Sequence, residues 1–133
     1  MRVFVSSKVN GHHQETNRKI KQLLEEIGCA VYLPQDELPL DSGLSSTDIL
    51  TSNEVAIDNC NVVVAVCEAL DVGGAMELGR ARAFNKPIVM VRVPQHEKSV
   101  DMGKMLEGLW QCTPSWNRAR SLEELKKVIE GLK

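Results

Sequence analysis

Two short and almost purely apolar segments constrain the fold of this chain more than any other feature. Residues 62–67 (VVVAVC) and 88–93 (IVMVRV) consist mainly of β-branched side chains and contain one charged residue, Arg92. A strand with one face in water alternates apolar and polar residues, whereas a continuous apolar run is typical of a strand buried on both faces. Strands of this kind occur in parallel sheets that helices cover on both sides. The two segments therefore predict the centre of an α/β fold.

The rest of the chain alternates between extended and helical patterns. An apolar segment at 2–6 predicts the first strand, and an amphipathic helix at 15–27, ended by Gly28, follows it. A strand at 30–33, a loop at 34–46 and a helix at 46–60 are predicted next, and a further helix follows Gly74. The last part of the chain predicts an irregular helix at 97–110, an edge strand within 111–116, and a final helix opened by Ser121. This alternation predicts one domain over residues 1–133, a flavodoxin-like three-layer sandwich with a five-stranded parallel sheet.

Composition excludes several classes of partner. The net charge is −2 and there is no Lys/Arg run, so we expect no nucleic acid and no membrane surface as partner. No window reaches the roughly 18 apolar residues of a spanning helix, and the first residues enter a strand without a signal-peptide pattern, which makes the cytoplasm the expected location. The four cysteines form no CxxC pair, and three of them lie in apolar contexts, so buried free thiols are expected rather than metal ligands.

The segment 71–81 (DVGGAMELGRA) follows the third predicted strand after three intervening residues and is the strongest functional signal. It predicts a Gly-rich turn and then a helix, at the carboxyl edge of the sheet where open α/β folds bind ligands. Gly73 and Gly74 lack Cβ atoms, so the backbone there can approach a ligand closely. Glu77 is expected in the first helical turn, where the helix dipole favours a carboxylate. A simple helix cap is the structural alternative for this glutamate.

The loop after the first strand is the second candidate region. Ser6, Ser7, Asn10 and Gly11 supply hydroxyl groups and backbone amides that suit a sugar or a phosphate. The same residue types also build ordinary turns. This loop alone therefore indicates a ligand only weakly.

The segment 71–81 closely resembles the nucleophile motif of the nucleoside 2-deoxyribosyltransferase family. Its Glu-Leu-Gly-Arg-Ala part is similar to a segment of the related deoxynucleoside 5′-monophosphate N-glycosidases. The resemblance covers most of the chain and is strongest from Asn53 to Pro94. It implies the same flavodoxin-like fold that the alternation of elements predicts.

The resemblance also implies roles for individual residues. Glu77 would attack the anomeric carbon of a deoxyribose, and Asp71 would bind the sugar hydroxyl groups. The substrate-binding residues that it implies are Ser6, Ser7, Asn10, Gly11, Asn53, Asp71, Gly73, Gly74 and Met76. In this family a neighbouring subunit contributes a residue from the segment after the fourth strand, where Asp101 and Lys104 are the polar candidates. We therefore expect a homodimer or a higher homo-oligomer.

Cleavage of an N-glycosidic bond creates an oxocarbenium-like carbon that a carboxylate can stabilise or bond covalently. A covalent intermediate can pass to a second nucleobase, which is transfer, or to water, which is hydrolysis. Asp71 favours an unphosphorylated deoxynucleoside and transfer, because a carboxylate repels a phosphate. The Glu-Leu-Gly-Arg-Ala and Ala-Phe-Asn-Lys segments instead favour the monophosphate hydrolases, which is the alternative. This chemistry needs no metal or cofactor, and the sequence suggests neither.

Two departures from the family pattern favour a third reading, a nucleoside- or nucleotide-binding module without catalysis. Val3 aligns with a tyrosine that orients the nucleophile in the family, and the one tyrosine of this chain is Tyr32 on the second strand. Asn53 stands where the family has an aspartate that helps to protonate the leaving base, and an amide is no general acid. The neighbouring Glu54 is expected to point elsewhere on its helix.

Overall fold

The computed structural model describes residues 1–9, 11, 13–39, 41–93 and 104–133. Within them, one five-stranded sheet has the order β2-β1-β3-β4-β5, and every neighbouring pair is parallel. The strands are β1 (Arg2–Ser6), β2 (Ala30–Tyr32), β3 (Val62–Val66), β4 (Ile88–Val91) and β5 (Arg118–Ala119). This is the flavodoxin-like order, so the predicted fold class is confirmed.

Helices cover both faces of the sheet. They are α1 (His13–Glu26), α2 (Pro34–Glu37), α3 (Ser46–Asn59), α4 (Val72–Ala83), α5 (Lys104–Cys112) and α6 (Leu122–Leu132). Apolar side chains of α1 and α6 pack on one face, and those of α3, α4 and α5 pack on the other. Because β1 and β3 lie side by side, the loops after these two strands meet at the carboxyl edge of the sheet.

The central strands are buried on both faces, as their composition predicts. All five residues of β3 are at most 1% exposed. Val62, Val64 and Val66 contact the layer of α1 and α6. Val63 and Ala65 contact the layer of α3, α4 and α5. The strand needs no polar face, because no part of it meets water.

Some predicted boundaries are wrong for local reasons. The expected loop at 34–46 contains α2, which Pro34 opens because its fixed φ and missing N–H suit a first helical position. The fifth strand lies at 118–119 rather than within 111–116, since α5 continues to Cys112 and a 3₁₀ turn follows it. Its position at the edge of the sheet is confirmed. Residues 97–103 of the irregular helix lie outside the described residues.

Side-chain caps fix the starts of two long helices. Ser45 and Asp48 form a complete capping box at α3, with each side chain bonded to the other residue's backbone N–H. Ser121 accepts a hydrogen bond from the Glu124 backbone N–H at α6, as predicted. The Glu124 carboxylate bonds the N–H of Arg120 rather than that of Ser121. Among the described residues, no helix combines the length and the apolarity that crossing a membrane requires.

We predict that the α6 layer carries much of the stability. Leu125 is fully buried, whereas Leu44 is 40% exposed. Leu125→Ala should lower the free energy of unfolding by about 2–5 kcal/mol, because it leaves a cavity against the sheet. The matched Leu44→Ala should change it by no more than about 0.5 kcal/mol. Urea unfolding measures both; equal losses would contradict the placement of α6 over the core.

Candidate active site

The start of α4 sets the geometry of the site. The Asp71 Oδ1 accepts a hydrogen bond from the Gly74 N–H at 2.9 Å, so Asp71 caps a helix that begins at Val72. Gly73 and Gly74 therefore lie inside the first turn rather than in a turn before the helix. Glu77 lies in the second turn, so its predicted place in the first turn is wrong. The favourable effect of the helix dipole falls off within the first turn.

Glu77 has a specific partner on the sheet. The Ser6 hydroxyl donates a hydrogen bond of 2.8 Å to the Glu77 Oε1. Ser6 is the last residue of β1 and is fully buried. A second bond, from the Lys8 N–H to the Ala69 carbonyl at 2.7 Å, ties the loop after β1 to the segment before α4. The two predicted regions of the sequence thus meet at one carboxylate.

The surroundings of Glu77 shift the pKa of its carboxyl group. Burial raises the pKa of Glu77 to about 7, the hydrogen bond from Ser6 lowers this pKa, and the charge of Asp71 raises it. About half of the carboxyl groups are then ionised near neutral pH. A group in this state can act either as a nucleophile or as a proton donor.

Glu77 opens on a cavity of about 360 Å³ between α3 and α4. This volume lies in the range of roughly 300–1,000 Å³ that is typical of small-molecule sites. The cavity brings together four of the predicted site residues: Asn53, Gly73, Met76 and Glu77. Its other lining residues are Ser46, Ile49, Leu50, Glu54, Ile57 and Arg80.

The other predicted site residues that the structure describes do not line this cavity. A Cβ on Gly74 would stand 2.7 Å from the Leu70 Cδ2 and 3.4 Å from the Ser6 Oγ, so this glycine lets α4 approach β1. The buried Ser7 hydroxyl has no hydrogen-bond partner among the described residues. Gly11 is exposed with φ of 66°, and a Cβ there would meet nothing within 4 Å. Asn10 lies outside the described residues.

Asp71 lines a second cavity, of about 560 Å³, on the other side of α4. Arg82 and Lys104 line it as well, together with apolar residues of α5. One carboxylate oxygen of Asp71 serves as the helix cap, and its charge acts on Glu77. Its binding of sugar hydroxyl groups stays a prediction. Asp101, the other polar candidate after the fourth strand, lies outside the described residues.

The expectation that Glu54 points away from the site is wrong. Glu54 lines the same cavity as Asn53, and its Oε2 lies 2.8 Å from the Arg80 Nη1. The ion pair with α4 draws the glutamate side chain towards the cavity. The Oδ1 of Asn53 is buried without a hydrogen-bond partner among the described residues. Arg80 is a site residue that sequence reasoning missed, although its spacing of three from Glu77 was a usable signal.

The strand position aligned with the family's tyrosine does not face Glu77. Val3 packs in the layer of α1 and α6, on the opposite face of the sheet from Glu77. On the side of α3 and α4, β1 presents Phe4 and then Ser6. Tyr32 stacks on Phe4 with ring centroids 5.4 Å apart. Burial raises the pKa of Tyr32, and the charges of Glu37 and Glu77 raise it further, so its phenol lies within the electrostatic field of Glu77.

A five-stranded parallel sheet with a partly buried carboxylate at its carboxyl edge defines a flavodoxin-like protein, with a candidate small-ligand site at the switch point. The chain matches the family model described as nucleoside 2-deoxyribosyltransferase over residues 4–109. This match covers well over half of the sequence, so the protein belongs to the nucleoside 2-deoxyribosyltransferase family, a family of enzymes. The predicted family is confirmed. No curated protein matches the sequence.

Solved structures agree on the fold. A conserved protein from Enterococcus faecalis V583 is similar with a TM-score of 0.74 and 16% identity, over 100% of this chain and 99% of that chain. A 2-deoxyribosyltransferase from Bacillus psychrosaccharolyticus has a TM-score of 0.62 and 19% identity, over 77% and 78%. A Clostridium botulinum CMP N-glycosidase has a TM-score of 0.61 and 18% identity, over 100% of both chains. At such identities these likenesses concern the fold alone.

We predict that Ser6 tunes the ionisation of Glu77. In Ser6→Ala the carboxylate loses the hydrogen bond that favours its charged form, so the pKa of Glu77 should rise above about 7. Carbon-13 NMR of the glutamate carboxyl groups measures this pKa, with the signal assigned by its loss in Glu77→Gln. The neighbouring Ser7→Ala should leave it unchanged. A fall or no change in Ser6→Ala would contradict the role of the Ser6 hydroxyl.

Proposed function

We propose that the protein cleaves the N-glycosidic bond of 2′-deoxynucleosides with Glu77 as nucleophile and transfers the deoxyribose to another base. The observation that carries the proposal is the placement of Glu77. Its carboxylate is fixed by Ser6, has a pKa raised to about 7, and opens on a cavity of about 360 Å³. A glutamate that served only as a helix cap would lie at the start of α4. Asp71 already caps the helix there, whereas Glu77 lies in the second turn.

In the proposed reaction the Glu77 carboxylate acts first as the nucleophile and then as the leaving group. The ionised Glu77 attacks the anomeric carbon, and the bond from that carbon to the base breaks with its electron pair leaving on the base nitrogen. A nitrogen of a second base then attacks the same carbon, and the Glu77 carboxylate leaves. Asn53 can hydrogen-bond the departing base but cannot protonate it. In this proposal the departing base takes the proton that it needs from water, and the attacking base releases its own N–H proton to water.

Hydrolysis of deoxynucleoside 5′-monophosphates is the second candidate, because cations lie near Asp71. Arg82 and Lys104 line the cavity that contains this carboxylate. They would compensate its repulsion of a phosphate dianion, which is the main argument against a phosphorylated substrate. In that reaction water replaces the second base, and the products are free base and deoxyribose 5-phosphate.

Assembly into a homodimer or a higher homo-oligomer remains part of the proposal. Large apolar side chains are exposed around the cavity between α3 and α4. Leu50 and Met76 line this cavity and are 46% and 58% exposed, and Val72, next to the lining residue Gly73, is 79% exposed. Contact with a second copy would remove this apolar surface from water and cover the cavity. We also propose that the enzyme acts in the cytoplasm on small molecules and needs no cofactor.

We predict that Glu77→Ala abolishes base exchange. The purified protein is supplied with deoxynucleosides and with deoxynucleoside 5′-monophosphates, each with and without a second free base. The wild-type protein should form a new nucleoside only when the acceptor base is present, and Glu77→Ala should lower this rate by at least about 10³-fold, because the covalent intermediate is lost. Glu123→Ala, an exposed glutamate on α6, serves as the matched control and should keep full activity.

The same assay separates the three candidate functions. Free base and deoxyribose 5-phosphate from the monophosphates alone would replace transfer by hydrolysis. Turnover that persists in Glu77→Ala would remove Glu77 as nucleophile. Binding of a nucleoside without turnover would favour the non-catalytic module.

We predict a characteristic dependence of activity on pH. The nucleophile must be ionised, and the pKa of Glu77 is about 7. In the free enzyme, kcat/KM should therefore rise about tenfold per pH unit below pH 7 and level off above it. Initial rates between pH 5 and pH 9 test this. A profile that is already flat from pH 5 would mean that a carboxylate with an ordinary pKa carries the reaction.

A further inference from the structure

Glu77 and Arg80 stand in positions that normally form an ion pair. They lie three residues apart on α4, with the acid on the N-terminal side, and both line the cavity between α3 and α4. Side chains at this spacing are neighbours on a helix surface, and opposite charges there attract. Among the described residues, however, no hydrogen bond or ion pair joins Arg80 to Glu77. The hydrogen bond that Glu77 receives there comes from the neutral hydroxyl of Ser6.

Arg80 is instead bound by two carboxylates of α3. Its Nε and Nη2 donate to the two oxygens of Asp58 at 2.8 and 2.7 Å. Its Nη1 lies 2.8 Å from the Glu54 Oε2. The guanidinium also stacks over the Phe84 ring, 4.9 Å from its centroid. All three nitrogens of the guanidinium thus face a carboxylate of the neighbouring helix.

Several features make this arrangement persistent. An exposed single ion pair contributes little, but bidentate geometry and a network of three charges are the exceptions. The hydrogen bonds from Arg80 hold the pKa of Asp58 below its usual range, so Asp58 stays charged where Glu77 titrates. Lys86 donates to the carbonyls of Asp58 and Cys60 at 2.7 and 3.0 Å, which fixes the end of α3.

We propose that Glu54 and Asp58 form a clamp that withholds Arg80 from Glu77 and so keeps the nucleophile free of an ionic partner. They are positioning residues, which act on the reaction through Arg80. The catalytic consequence of the clamp rests on the proposed role of Glu77, whereas the clamp itself does not. An arginine bound to Glu77 would stabilise the carboxylate before reaction and occupy the space that the sugar needs.

The other groups that face Glu77 do not replace the clamp. Ser6 on β1 donates a hydrogen bond, and Asp71 on α4 contributes a negative charge. Tyr32 on β2 is a neutral phenol whose pKa is raised in part by the charge of Glu77. Asn53 on α3 is uncharged. Among the described residues around Glu77, Arg80 is therefore the cation that would change the pKa of Glu77 most if Glu54 and Asp58 released it.

The experiment is a set of three variants that removes the clamp and then the cation. In Glu54→Gln/Asp58→Asn, Arg80 should turn to Glu77 and lower the pKa of its carboxyl group by at least about one pH unit. Adding Arg80→Gln to this pair should return the pKa to near the wild-type value. The single Glu54→Gln keeps the bidentate pair with Asp58 and should leave the pKa within a few tenths of a pH unit. Carbon-13 NMR titration of the Glu77 carboxyl group measures all three.

Two further readouts identify the cause of the shift. A crystal structure of the double variant should show Arg80 within 4 Å of Glu77. The acidic limb of kcat/KM should move to lower pH by the same amount, and the plateau above pH 8 should fall about tenfold or more. Near-ultraviolet circular dichroism establishes that each variant is folded.

The outcomes are separable from those of the proposed function, because the titration requires no turnover. A folded double variant with an unchanged pKa of Glu77 would overturn the clamp, whatever the activity. A low pKa that persists after Arg80→Gln would also overturn it, since the loss of two negative charges would then explain the shift. A shift that Arg80→Gln reverses would establish the clamp even in a protein that cleaves no nucleoside.

Discussion

The hydrogen bond between Ser6 and Glu77 depends on almost every layer of this structure. It requires β1 to run beside β3, so that the strand end and the start of α4 reach the same edge of the sheet. It requires Asp71 to begin α4 before the glycines, which puts Glu77 one turn further along the helix. It also requires Gly74 to lack a Cβ, because a side chain there would crowd Leu70 and the Ser6 hydroxyl. This hydrogen bond of 2.8 Å therefore forms only when β1, β3 and α4 are all correctly placed.

The ionisation of the site depends on which groups its charged side chains contact. Burial raises the pKa of Glu77, and the hydrogen bond from the Ser6 hydroxyl lowers it. The resulting pKa is about 7. The nearby cation, Arg80, binds two carboxylates on α3. The same contacts that pack α3 against α4 therefore also decide how the candidate nucleophile ionises. The side chains that join α3 to α4 are thus the same ones that we propose to position Arg80.

Helix α4 separates two cavities and presents a different carboxylate to each. Glu77 faces the cavity shared with α3, and Asp71 lines the cavity shared with α5, where Arg82 and Lys104 also lie. A substrate whose sugar approaches Glu77 would lie near the start of α4, between these two environments. Whether a phosphate is accepted there depends on the balance between Asp71 and the two cations. The proposed transfer and its alternative, hydrolysis, therefore place different requirements on the second cavity as well as on Glu77.

The sequence by itself determined the fold and the identity of the central carboxylate. The continuous apolar runs of β3 and β4 require burial on both faces, and the segment around Glu77 carries its resemblance within eleven residues, so both are local properties. The tertiary structure decided which side chains meet that carboxylate. Ser6 is 71 residues away in sequence, and Arg80 turns from Glu77 to Glu54 and Asp58 on another helix. The expected direction of Glu54 was wrong for the same reason, and the face on which Val3 lies could not be predicted from the local sequence either. Packing between distant elements decides which face a strand residue presents and which partner a long charged side chain contacts. The local sequence does not contain these distant elements.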